Sequence, residues 1–230
     1  RSPSRGLGDV YKRQALSLKE VRVKTEIKGH FENFKEIGRQ LFLDSKILRY
    51  ISLTMTIWGM STFYAVWLFQ KYWQQQSVDL VWFGALWALY NITVAITSKL
   101  THFIEHKFGS VSLLLLMGLL PILAYFSMAF FTGVLGIVGG LLFQVARGIH
   151  QVSLKDALNR RIPSNFRATA NSIMSFGFRG TFLLTGPAVG WGVDNYGLEN
   201  TLYALGFIFL GLFLVIITPF IYLVRSEQNT

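Results

Sequence analysis

Arg179 is the sharpest chemical feature of the sequence. It is the lone Asp, Glu, Lys or Arg within residues 168–193. A guanidinium keeps its proton under all ordinary conditions. Inside so apolar a run it must meet an anionic substrate, pair with a carboxylate of another helix, or snorkel toward water. Asn171 and Ser175 precede it at four-residue steps, which on a helix places all three on one face. Tyr64, Asn91, Gln144 and Arg147 also interrupt apolar runs. Each suits either a solute path or a hydrogen bond to a neighbouring helix.

A second cluster is His102-x-x-Glu105-His106, the inverted zinc-protease spacing. On a helix the two imidazoles stand one turn apart and could share a metal. No third carboxylate ligand lies nearby in the sequence, so a membrane zinc hydrolase is the remotest reading and no metal site is assigned. His30 and His150 have no partner pattern, and the sequon Asn91-Ile92-Thr93 falls inside an apolar run. No G-x-x-x-x-G-K-[ST] occurs, which excludes P-loop nucleotide hydrolysis. With no Cys, disulfides, iron–sulfur clusters and thiolate zinc sites are excluded. Neither a cofactor nor an enzymatic activity is expected.

The elements that carry these residues follow from composition. The chain has 230 residues, 52% hydrophobic and 15% aromatic, and only 15% charged against roughly 25% in soluble domains. Mean hydropathy is +0.41, more apolar surface than a soluble core of this size can absorb. Charges vanish over 50–70, 80–98 and 108–146. The last gap, 39 residues, extends about 58 Å as helix, two crossings of a roughly 30 Å hydrocarbon core. The expected fold is therefore all-α and integral to the membrane. Six spans are predicted near 47–69, 80–98, 110–131, 133–155, 167–193 and 201–224, with Phe131-Thr132-Gly133 as the central turn.

The basic residues predict the threading. Of 22 Lys and Arg, 12 lie in 1–49, two in 99–110 and five in 147–167, whereas the opposite connections hold only Lys71. Both termini are expected in the cytoplasm. The net charge of +10 is then a positive-inside signature, and no nucleic-acid partner is expected. Residues 1–14 read as non-native, adaptor-like sequence, since no Met precedes Met55. Residues 15–45 read as a cytoplasmic linker, with Phe31, Phe34, Ile37 and Leu41 as an amphipathic stripe. Polar stripes mark spans one, two, four and five as inward-facing: Thr54, Trp58 and Ser61; Trp87, Asn91 and Ser98; Gln144, Arg147 and Gln151; Asn171, Ser175 and Arg179. Spans three and six lack them, which predicts a three-plus-three pattern with those two toward lipid.

The run from Arg147 to Phe176 resembles the junction of helices 10 and 11 in the major facilitator superfamily. The matching residues are Asn159, Arg160, Ile162, Pro163, Arg167, Ala168 and Thr169, followed by Arg179, Gly186, Pro187, Gly190 and Asp194 in the next helix. The resemblance covers about 46–230. It departs at the second-to-third connection, where the family's gating motif places an acid, a basic residue, any residue and Gly. Lys107 and Gly109 fit, His106 stands in the acid's place, and Glu105 comes one residue early.

The resemblance implies the C-terminal six-helix half of a transporter, a 3+3 inverted repeat that moves a small solute by alternating access with a missing N-terminal half. It implies substrate-path roles for Arg179, Asn91, Tyr64, Gln144, Arg147 and Ser175, and gating roles for Glu105, Lys107 and Gly109. The expected partners are that half, the solute and the lipid bilayer, and the expected location is a bacterial inner (plasma) membrane. No Asp or Glu lies deep in a predicted span, so a proton-coupling carboxylate would belong to the missing half. The alternative is a self-contained six-helix protein, either a homodimeric carrier or a permease subunit.

Overall fold

The computed structural model describes residues 30–228. The adaptor-like segment 1–14, linker residues 15–29 and the Phe31 side chain lie outside the described part. Every regular element among the described residues is helical. Helix α1 (His30–Arg39) runs into a π turn, Gln40–Asp44, and buries Ile37 and Leu41 but leaves Phe34 exposed. Ser45 caps the next helix by accepting from the Leu48 N–H at 3.4 Å. Arg49 holds this corner by donating to the carbonyls of Phe42 at 2.6 Å and Leu43 at 2.7 Å.

The main bundle comprises α2 (Lys46–Gln75), α3 (Phe83–Phe130), α4 (Gly133–Gly139), α5 (Leu141–Arg161), α6 (Arg167–Leu212) and α7 (Thr218–Gln228). Among the described residues, four stretches are long and apolar enough to cross a membrane: Lys46–Gln75, Leu80–Phe130, Gly133–Arg161 and Ser164–Glu227. Among the described residues the protein is all-helical, and these lengths and compositions are compatible with an integral membrane protein. The count by length and composition is four where the sequence predicts six. The charges near 99–107 and 194–199, which separate spans in the sequence, do not interrupt these helices.

Two glycines nevertheless divide the longest helices. Gly109 has φ 81°, ψ 161° and Gly197 has φ 81°, ψ 164°, a backbone region open essentially to glycine alone. Each forms a turn at which the helix doubles back. The Tyr90 ring lies 4.8 Å from Phe69, Phe69 lies 6.0 Å from Phe143, and Phe143 lies 4.6 Å from Tyr125. A straight helix would hold Tyr90 and Tyr125 about 52 Å apart. In α6 a Cβ built on Gly192 would touch the Thr201 hydroxyl at 3.4 Å, where a straight helix would separate the two residues by about 14 Å. We call the resulting pieces arms: 83–108 and 110–130, then 167–196 and 198–212.

The arms run between two ends. One end gathers Ile47, Glu105, Ser110, Arg160, Arg161 and Glu227 around a cavity of about 290 Å³. At the other, Lys71 pairs with Asp194 at 3.5 Å. There the Tyr72 hydroxyl donates to the Phe131 carbonyl at 2.7 Å, and the Gln76 amide oxygen accepts from the Gly133 N–H.

Between the ends the core is ring on ring: Trp58, Phe69, Trp73, Tyr90, Tyr125 and Phe143 are fully buried. Pro121 lies inside the second arm of α3, where a missing N–H and a bulky ring loosen the carbonyls one turn back. Three residues before it, the Gly118 carbonyl accepts from the Trp58 indole N–H at 3.2 Å. Tyr125 donates to the Ser61 carbonyl at 2.5 Å and completes the α2–α3 seam. Helices α3 and α5 meet at Gly148, where a Cβ would lie 2.9 Å from the Val94 carbonyl oxygen.

Candidate functional site

The first arm of α6 packs on α2 through aromatic rings. Phe63 lies 5.2 Å from Phe178 and 4.7 Å from Phe182, edge to face, and Trp67 stacks on Phe182 at 6.0 Å and 21°. The two pairs share one grammar: Phe63 with Trp67 and Phe178 with Phe182 each stand one helical turn apart. The rings meet because Gly59 leaves room, since a Cβ there would press to 2.8 Å of Phe178. Tyr64 ties the arms beneath. Its hydroxyl pairs with Thr185, whose own proton goes to the Thr181 carbonyl at 2.6 Å, so Tyr64 is the donor. Trp67 remains 65% exposed, so the wall is open on one side. A recess of about 270 Å³ adjoins it, lined by Tyr64, Trp67 and Phe182 and rimmed by the Lys71–Asp194 pair.

Arg179 stands beside this wall, three residues from Phe182 and therefore on a neighbouring face. It is exposed and makes no hydrogen bond or ion pair with any described residue. Ser175, one turn away, is exposed as well. The third member of the predicted stripe has a structural task. Asn171 donates to the Asn159 side-chain oxygen at 2.9 Å and to the Arg167 carbonyl at 2.8 Å, fastening α5 to α6 across the Ile162-Pro163 break.

The remaining predicted residues disperse. Gln144 is buried at 2% exposure with no side-chain hydrogen bond among the described residues. Arg147, one turn on, is half-buried, and no acid pairs with it among the described residues. Nearby, the His150 ring nitrogen Nε2 lies 3.0 Å from the Met55 carbonyl. Three buried polar atoms have no partner among the described residues: the Ser52 and Thr54 hydroxyls and the Trp73 indole nitrogen. Asn91 is exposed and donates to its own helix, at the Trp87 carbonyl, 2.8 Å away. It lines neither recess described above.

At the α3 turn, Gly109 supplies the reversal itself. Glu105 accepts from Ser110 at 2.9 Å and lies 4.0 Å from His102 Nδ1. The Lys107 ammonium sits 5.2 Å above the Phe108 ring. Among the described residues, no three His, Asp or Glu converge as a metal would need. The neighbouring cavity is bordered by Asp156–Arg160 at 2.6 Å and Arg161–Glu227 at 3.4 Å.

Sequence reading misses the ring wall. Phe63, Phe178 and Phe182 read as ordinary apolar filling in a membrane span, and the one available signal was their pairing with another ring one turn away. Comparison of the chain with protein-family models, curated proteins and solved structures returned no match.

Proposed function

We propose that this chain is the C-terminal six-helix half of a secondary transporter of the major facilitator type, moving a small solute by alternating access. The observation that carries the reading is the recurrence of one turn. Gly109 follows the start of α2 by 63 residues, and Gly197 follows the start of α4 by 64. The two turns share their dihedral angles within 3°. Counting each arm as a crossing gives six, and the second triplet starts from the opposite end of the bundle to the first. This recurrence supports an inverted repeat, the architecture in which solute sites form near the midplane.

In this reading both termini face the cytoplasm of a bacterial inner membrane, because the basic residues gather at the end holding Ile47 and Arg160. The open ring wall and Arg179 face the N-terminal half. Arg179 supplies the charge, Tyr64 fixes the α2–α6 spacing, and the doubled turns let the bundle tilt as one piece. Phe176, Leu183, Leu184 and Trp191 are exposed on the same arm as Arg179, so this arm offers a second body an apolar surface. A second copy of this chain would use the same surface, which keeps a homodimeric carrier as the alternative.

These 230 residues hold no Cys, so once any Cys elsewhere in the gene product is replaced a single introduced thiol is the one reactive site. Ser175→Cys, placed in the whole gene product carrying this chain, is labelled with an impermeant maleimide from each side of the membrane in turn. Alternating access makes the site reactive from both sides, with solute shifting the ratio. Reactivity from one side only, unmoved by any solute that the cells accumulate or expel, would overturn the reading.

A further inference from the structure

A cavity of about 600 Å³ lies between α2 and the two arms of α6 and shares Tyr64 with the recess at the ring wall. Its floor is Ile57, Met60, Leu205 and Phe209, and it opens sideways between Ala188 and Ile208, which are exposed. We propose that it holds one acyl chain of a membrane phospholipid, drawn from the leaflet at the Lys71–Asp194 end. This goes beyond the transport reading and depends only on the chain lying in a bilayer.

Four observations fix the occupant. No charged side chain lines the cavity, and its threonine hydroxyls and the Asn200 amide nitrogen bond within the protein. Thr181 donates to the Gly177 carbonyl at 2.8 Å, Thr201 to Gly197 at 2.8 Å and Asn200 to Tyr196 at 2.9 Å. Thr185 is engaged with Thr181 and Tyr64. Along the floor of Ile57, Met60, Leu205 and Phe209 a water cluster would lack the two to four partners that each water needs, and a polar solute would lose its hydrogen bonds there.

Second, the opening lies within the apolar stretch Ser164–Glu227, where the surrounding medium is hydrocarbon. Third, the second arm lines the cavity from Asn200 to Leu212, about 18 Å of helix, close to the roughly 15 Å depth of one leaflet. Fourth, Trp191 and Tyr196 stand at the mouth, 5.4 Å apart edge to face and 58% and 61% exposed. Amphipathic rings of this kind mark the headgroup level, which sets the chain's entry point.

The test is native mass spectrometry of the full chain released from nanodiscs of one defined phosphatidylglycerol, with two cavity-filling variants, Ala204→Trp and Ala188→Phe. Leu214→Trp, on an exposed position of the π segment outside the cavity, is the control. Retention of one lipid by the parent and the control, with at least tenfold less in both filled variants at equal helix content, is the expected result. A second readout guards against misfolding. Phosphatidylcholine brominated on its acyl chains should quench the emission of Phe209→Trp, a reporter on the cavity floor taken as the difference from the parent, more than headgroup-labelled lipid does. Equal retention in all variants means ordinary annular lipid and overturns the proposal. So does displacement of the bound lipid by an equimolar free fatty acid, or quenching that follows headgroup label alone.

Discussion

Arg179 and Tyr64 sit on the same pair of helices, yet they differ in what they do for the fold. Arg179 touches no described side chain through a polar contact, so Arg179→Ala should move stability by no more than ~0.5 kcal/mol in detergent unfolding. If its charge meets solute, the same variant loses a charge-assisted contact of ~1.5–3 kcal/mol, read as a roughly 10- to 100-fold rise in transport KM. A partner carboxylate instead predicts that a compensating loss of that acid restores transport. Tyr64→Phe removes one hydrogen bond between helices and should cost about 0.6 kcal/mol, the usual size in membrane bundles. Arg179 was legible because a charge in an apolar run is conspicuous. The ring wall was not, because Phe in such a run is the default residue. Asn91 stood out for the same reason as Arg179, and the structure gives it only its own helix to bond.

Helix boundaries show where charge is a good guide and where it is not. The turn at 131–133 and the break at Ile162-Pro163 were legible, because left-handed glycine and proline leave few backbone options. The end of α2 lies at Gln75 rather than 69, since Lys71 pairs with Asp194 at the rim and lets the helix continue. Likewise 83–108 continues through Lys99, Glu105 and Lys107, so charge marks the edge of the apolar layer rather than of the helix. The π segment Phe213–Ile217 is announced by Pro219, whose missing N–H and ring disturb the carbonyl four residues back, at Val215. Packing adds to this, since its Phe213 ring lies where a side chain on Gly118 would be. Gly109→Ala and Gly197→Ala should each cost ~1–3 kcal/mol with helix content retained. Nothing lies within 4 Å of the added Cβ in either case, so the cost is backbone alone. Gly148→Ala should cost ~1–3 kcal/mol for a different reason, overpacking against Val94 and Thr97. Equilibrium unfolding of the three variants, beside Gly38→Ala as a surface control, separates these contributions.

The threading of the whole chain is open to a direct check. Lys107→Cys and Ser164→Cys should react with impermeant maleimide only in inverted vesicles, and Asp79→Cys and Glu199→Cys only in intact cells. A reversed pattern would invert the orientation while leaving the bundle unchanged. One feature then bears on how such a bundle moves. Tyr72 and Gln76 on α2 grip the turn at 131–133, and Tyr90 donates to the Ile137 carbonyl at 2.7 Å. At the far end the Tyr50 ring of α2 stacks on Phe220 of α7 at 5.8 Å. Two triplets of arms are thereby riveted at opposite extremes, leaving no slack for one to slide on the other. Torque applied at either rim passes through the bundle as through a stiff lever. Under the transport reading, the compliance that rocking needs then lies outside the bundle, at the seam with the N-terminal half.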